Sequence, residues 1–336
     1  MSYLKTIALC VTLLLVVCAP PAKAEEGADP CAGKELVDWS SQAETIYRLQ
    51  VANINERFRA MDEAMACLSG STRAFAGGES ASSAIYTSFR SQPFPLGTPN
   101  QQAARTVKWT SETGSIFAEF SALRQLYDAA WAVRGHEYAQ GTAGNRMDAF
   151  SIGLAELETR MLAASPKLRD TAIWHRLLLA VSLEGSRPKS DPHQVFAESI
   201  RRWPEAYEFQ QVMLAKLVPR WGGSWPAVDA FVKQWASRAT PSQGESLYAR
   251  LYVSVLQLGY DPGDTLLDSR RMASSLRDWK RRYPSSDTYN VVASAACAIG
   301  DKQLFREVYL GLKESEVRPT TWLYRAQRQA CVAKYG

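Results

Sequence analysis

Histidine is scarce in this chain: there are three, His136, His175 and His193. None has a cysteine, aspartate or glutamate at metal-ligand spacing, so no metal ion is expected. His175, inside the helical stretch IWHRLLLA, reads as a satisfied histidine at a core boundary. The Gly-x-Ser-x-Gly elbow, the phosphate loop ending in Gly-Lys-Ser/Thr and the His-Glu-x-x-His pair are all missing. With them go the usual sequence signs of a serine hydrolase, a P-loop nucleotide enzyme and a zinc protease, and no cofactor is expected. Blocks of like charge are missing too. The 39 Lys and Arg stand against 34 Asp and Glu, a formal net charge of +5, and this near balance does not fit a nucleic-acid partner. Long alternation of Val, Ile and Thr is absent, which excludes an extensive sheet. Past the first residues no apolar run reaches the roughly 20 needed to cross a bilayer, so no stable membrane insertion of the processed chain is expected.

What is present begins with MSYLKTIALCVTLLLVVCAPPAKAEE. A lysine precedes an apolar run from Ile7 to Val17, and Ala22-Lys23-Ala24 forms a small-residue cleavage site, the pattern of a secretory signal peptide cut after Ala24. Leu15-Val16-Val17-Cys18 resembles a lipoprotein box but carries Val17 where a small residue belongs, which makes outer-membrane lipidation the lesser reading and the periplasm the expected compartment. Cleavage removes Lys5 and Lys23 and brings the formal charge from +5 to +3. Of six cysteines, Cys31, Cys67, Cys297 and Cys331 remain. Their clustering at the two chain ends favours Cys31–Cys67 and Cys297–Cys331 among the three pairings that four cysteines allow. Four buried free thiols are the alternative, and the lack of a Cys-x-x-Cys pair argues against zinc.

Most of the remaining chain has helical period. Ile54, Phe58, Met61 and Met65 recur at four, three and four residues, and Phe117, Phe120, Leu123, Tyr127 and Trp131 form a second stripe ending at Gly135. The reading is an N-terminal helical segment over 25–70, an irregular Gly/Ser/Pro-rich connection over 71–114 with a short helix near Ala84–Phe89, and a helical-repeat domain over 115–336. Gly77-Gly78-Glu79-Ser80 within the connection reads as a turn. Arg201-Arg202-Trp203-Pro204 lies 80 residues before Arg281-Arg282-Tyr283-Pro284. Each is followed by a helix, a glycine turn and a second helix, giving units at about Glu205–Trp235 and Ser286–Lys313. That spacing suits two helix pairs of about 40 residues each. The fold class expected is all-α, a right-handed solenoid of antiparallel helix pairs resembling tetratricopeptide arrays.

In KLVPRWGGSWPAVDAF, Gly222 and Gly223 suit a turn after one helix, Ser224 an N-cap and Pro226 the first turn of the next. Asp301 plays the capping part in the second unit. Arg220, Trp221 and Trp225 at this corner are candidates either for bracing the helix pair or for holding a partner. The segments Trp131–Ala139 (W-x-V-R-G-x-x-Y-A), Pro219–Ser224 (PRWGGS) and Ala295–Asp301 (AACAIGD) together resemble an uncharacterised bacterial family, domain of unknown function 4034, over roughly Ala118 to Leu312. The resemblance implies a tetratricopeptide-like helical array and carries over no catalytic residue.

The function expected is that of an exported, non-catalytic binding module presenting a concave surface, rich in Trp, Tyr and Arg, to a protein or peptide. Two alternatives stand beside it. One is an envelope hydrolase acting on peptidoglycan or glycan, because Glu245-Ser246 matches the acid dipeptide of lytic transglycosylases; the Gly-Leu-Met-Gln-type segment that should follow is missing. The other is a structural or immunity-type partner of a secreted effector.

Overall fold

The computed structural model describes residues 29, 31–90, 96–135, 143–318, 322–323 and 327–336. The signal sequence, the Cys18 box, the Ala24 cleavage site and His136 lie outside them. The described residues form an all-α array: α1 (Gln42–Ile54), α2 (Phe58–Gly70), α3 (Ala81–Ser88), α4 (Pro99–Thr113), α5 (Ile116–Arg134), α6 (Gly144–Leu162), α7 (Pro166–Arg169), α8 (Ala172–Glu184), α9 (Pro192–Arg202), α10 (Glu208–Leu217), α11 (Trp225–Ala236), α12 (Ser246–Leu256), α13 (Ser269–Arg282), α14 (Ser286–Ala298), α15 (Lys302–Tyr309) and α16 (Gln327–Tyr335). Among these residues the one β feature is an isolated bridge between Ala74 and Ser80.

From α8 onward each helix packs on the next, α8 also touches α10, and α10 touches α12. The two rows this creates differ in burial. The outer helices bury a narrow stripe: Val195, Phe196 and Ser199 on α9, Val228, Val232 and Ala236 on α11, and Leu304, Phe305 and Val308 on α15. That is the i, i+3, i+4, i+7 pattern of a helix with one face in water. On α12, by contrast, every residue but Ser254 is buried, including Arg250, and α8 is buried nearly all round. A helix buried on all sides must be covered on both faces. The outer row covers one face. The chain's own N-terminal segment covers the other: α3 packs on α8, Gly77 and Gly78 reach Trp279 and Arg250, and the Ser41 hydroxyl donates to Asp287. The inner face expected to be open to a partner is therefore occupied at its centre by residues 75–80.

The repeat seen in sequence is a repeat in conformation. Trp203 and Tyr283 close α9 and α13 with φ/ψ of −130/68 and −128/67, and each N–H bonds back to the carbonyl four residues earlier. The following proline forbids helical continuation and fixes both exits alike. Asp301 caps α15 by accepting from the Leu304 N–H at 3.0 Å.

Residues 71–114 are not an irregular connection. They contain α3 and the 15-residue α4. The missed helix starts with a capping box in which Thr98 and Gln101 satisfy each other's backbone N–H groups. It buries Thr106 and Trp109 alone, so no apolar stripe marks it. The stripe from Ile54 to Met65 also spans two helices, because Glu56 takes φ 55 and turns the chain between α1 and α2. A single apolar cluster includes Cys31, Phe89, Trp109, Phe209 and Met213, so the helices before 114 share a core with those after it.

Both expected disulfides are formed. Cys31–Cys67 fastens the first turn to α2, with Cα atoms 5.3 Å apart, and Cys297–Cys331 fastens α16 to α14, at 6.0 Å. Such bonds persist in an oxidising, export-type compartment. Among the described residues no helix is long and apolar enough to cross a membrane.

Candidate functional site

The corner after α10 is built from backbone constraints. Val218 is extended, Pro219–Trp221 make one 3-10 turn, and Gly222 follows at φ 88, a left-handed conformation open to glycine. Gly223 is required for a different reason than expected. Its φ is not positive; a Cβ there would lie 1.9 Å from the Leu217 carbonyl oxygen. Ser224 then caps α11 by accepting from the Ala227 N–H at 3.3 Å, with Pro226 in the first turn.

This corner meets the C-terminal ends of α5, α8 and α12. Trp131 and Trp221 pack edge to face at 6.0 Å, and Trp131 packs in the same way on Phe150 at 5.1 Å. The Arg134 guanidinium sits between the two indoles, 5.0 Å from the Trp131 ring and 4.9 Å from the Trp221 ring, and Arg134 is only 2% exposed. Lys216 adds a second cation, 4.6 Å from the Trp221 ring. Below them Glu184 collects donors: the Tyr127 hydroxyl at 3.0 Å, the Trp131 Nε1–H at 3.0 Å and the Lys216 ammonium at 3.2 Å. Burial lowers the pKa of Lys216 against the pull of Glu184. Burial, and then the Glu184 charge, hold the Tyr127 hydroxyl well above its ordinary range. A largely enclosed carboxylate with three donors is matched in charge and hydrogen bonding, which is the condition for keeping it there.

Above this base is a cavity of about 200 Å³ lined by Trp131, Arg134, Val218, Arg220, Trp221, Leu258 and Tyr260. Arg220 is exposed at its rim; its N–H donates to the Tyr260 hydroxyl at 3.3 Å and its guanidinium lies 5.8 Å from the Trp221 ring. Trp225 stands behind, edge-on to Tyr260 at 4.8 Å. The three corner residues named from sequence are thus brought together. Trp131 entered the sequence reading in a helical stripe and in the family-like motif, and Arg134 through that motif alone; here they form one wall. Glu184, Lys216 and Tyr260 were missed. They lie at helix ends far apart in sequence, and their residue types alone do not distinguish them from solvated surface.

The lining offers flat aromatic faces and cations, and no nucleophile or acid–base pair. Glu245 lies elsewhere, at the N-cap of α12, where its carboxylate accepts from Arg271 Nε at 2.6 Å and from the Ser275 hydroxyl at 3.3 Å. No group of three or more His, Cys, Asp or Glu among the described residues could hold a metal ion. No family model, curated protein or solved structure matches this chain.

Proposed function

We propose that the chain is an exported, non-catalytic helical-repeat module that binds a protein or peptide partner through the corner pocket between Trp131 and Trp221. The observation that carries this reading is the convergence of Trp131, Arg134, Arg220 and Trp221 from two distant segments around one cavity of about 200 Å³. Trp, Tyr and Arg are the side chains that dominate binding energy at protein interfaces, because each offers a large apolar surface with a polar edge. A cavity of this size takes one apolar side chain of a partner, and the remaining contacts fall on the rim. The segments that resemble domain of unknown function 4034 supply Trp131, Arg134 and the Pro219–Ser224 corner, so membership in that family belongs to the same proposal. Export to the periplasm rests on the signal pattern before Ala24 and fits the two disulfides.

The test is a pull-down from periplasmic extract at near-physiological salt with the full processed chain and with Trp221→Ala and Arg220→Glu variants. A specific protein retained by the unaltered chain and lost at least tenfold with Trp221→Ala is expected. Equal retention by all three would overturn the site. N-terminal sequencing of exported material is expected to begin at Glu25; a lipidated Cys18 start would relocate the protein to a membrane surface.

A further inference from the structure

The inner face of the array holds a second feature, apart from the corner pocket. Residues 75–80 fold into a closed loop: the Phe75 N–H donates to the Glu79 carbonyl at 2.9 Å, and the Gly78 N–H to the Phe75 carbonyl at 2.8 Å. The groove grips this loop mainly through backbone atoms. Arg250 Nη2 donates to the Gly78 carbonyl at 2.5 Å, Trp279 Nε1 to the Gly77 carbonyl at 3.4 Å, and Glu208 accepts from the Ser80 N–H at 3.1 Å. The Arg250 guanidinium is itself boxed by aromatic rings, 3.7 Å from Tyr207 and 4.9 Å from Tyr283. A side chain at Gly78 would meet the Tyr283 ring at 2.8 Å and Arg250 Nη2 at 2.9 Å, so the groove selects glycine there. Main-chain hydrogen bonds give the groove its grip on the loop, and the lack of room for a side chain gives it a preference for glycine.

The loop does not use all that the groove offers. Arg250 is 1% exposed, yet its Nε and Nη1 meet no acceptor, and the Glu208 Oε2 meets no donor. Buried polar atoms left without partners are uncommon and costly. The loop also sets the Glu79 carboxyl near Glu208 and Asp287, with Arg250 as the opposing charge.

We propose that residues 75–80 are an intramolecular occupant of a peptide-binding groove formed by Tyr207, Glu208, Arg250, Trp279 and Tyr283, and that this groove takes a partner peptide carrying two consecutive glycines and an acidic residue when the loop is displaced. The loop then competes with the partner for Arg250 and holds the groove closed in its absence. This does not depend on the corner pocket, which lies on other helix ends.

The experiment uses the full processed chain and a fluorescent peptide with the sequence of residues 73–82, with a scrambled peptide as control. Gly78→Ala, which adds a Cβ at φ 88 against Tyr283 and Arg250, is expected to release the loop. The variant should bind the peptide at least tenfold more tightly than the unaltered chain, and Arg250→Lys added to it should remove the gain. A folded Gly78→Ala variant that binds the peptide no better than the scrambled control overturns the proposal. So does a variant that forms dimers which exclude the peptide, since the occupant would then be a second copy. Should Gly78→Ala fail to fold, hydrogen exchange of the unaltered chain decides. Phe75 and Gly78 amides exchanging at least tenfold faster than those of α12 support a displaceable loop; equal rates overturn it.

Discussion

His175 shows how one buried side chain sets a pH limit. It is 4% exposed, packed edge-on between Trp174 and Trp203, each at 5.0 Å. Arg202 Nη1 lies 3.1 Å from its Nε2. An arginine can only donate, so Nε2 is the acceptor and the ring is neutral. Burial is the main cause of a pKa lowered from 6.5 to about 4. The folded value is below the unfolded one, so the stability this group contributes is present above pH 6.5 and is lost as pH falls through 4. By linkage the loss amounts to about 3 kcal/mol. His175→Gln keeps an acceptor for Arg202 and cannot be protonated in this range. Thermal melts of the variant between about pH 7 and 4 are expected to fall less steeply than those of the unaltered chain; parallel curves would assign acid sensitivity to other groups. Glu79 acts in the opposite sense. Burial raises its pKa above 4.5, so what it contributes is present below that value and is lost as pH rises through the raised one.

At the scale of elements, the corner between α10 and α11 makes separable demands. Gly223→Ala puts a methyl 1.9 Å from the Leu217 carbonyl, a clash that only backbone movement relieves. It is expected to cost more than about 2 kcal/mol in denaturant unfolding, in the range of overpacked or strained sites. Ser224→Ala removes one cap and should cost about 1 kcal/mol. A Gly223→Ala loss no larger than that of Ser224→Ala would show that the corner yields easily. The same corner was legible in sequence because Gly-Gly, Ser and Pro each carry a local instruction. Helices α10, α11, α14 and α15 were legible as the two helix pairs that follow Pro204 and Pro284, each with its glycine turn. Helix α4 was not: its signs lie at its ends, in the Thr98–Gln101 box, Pro99 and the left-handed Gly114, while Trp109 alone anchors its core side among large residues. The break between α1 and α2 escaped because Glu56 gives no hint of a positive φ.

At the scale of the molecule, the two disulfides close the ends of the array. Opening Cys297–Cys331 frees α16 from Phe305, whose ring lies 5.8 Å from Tyr335, and from Arg306, which donates to the Tyr335 carbonyl. The Cys331→Ser variant is expected to lose about 3–4 kcal/mol in the chain-entropy account and to be trimmed by protease from the C-terminus, with the residues before α14 still protected. Trimming no faster than in the unaltered chain would show that packing alone holds α16. The pairing of these ends could be read from cysteine positions. The corner pocket could be read in half, since Trp131, Arg134, Arg220 and Trp221 were visible as motifs, while Glu184 and Tyr260 depend on which helix ends meet. The seating of residues 75–80 could not be read at all, because Phe-Ala-Gly-Gly-Glu-Ser announces a turn and nothing about its destination.

That seating has a consequence in time. A ribosome delivers Gly77 202 residues before Trp279, its partner in the groove. At about 5–20 residues per second the wait is about 10–40 s, during which the Gly77–Gly78 turn has no Trp279 to receive it, although α8, on which α3 packs, is made sooner. The contacts of this early segment with α12 and α13 are the last it can make. Its long sequence separations place the final step of folding among the slow, non-local ones. The chain must be kept from aggregating until α12 and α13 have arrived.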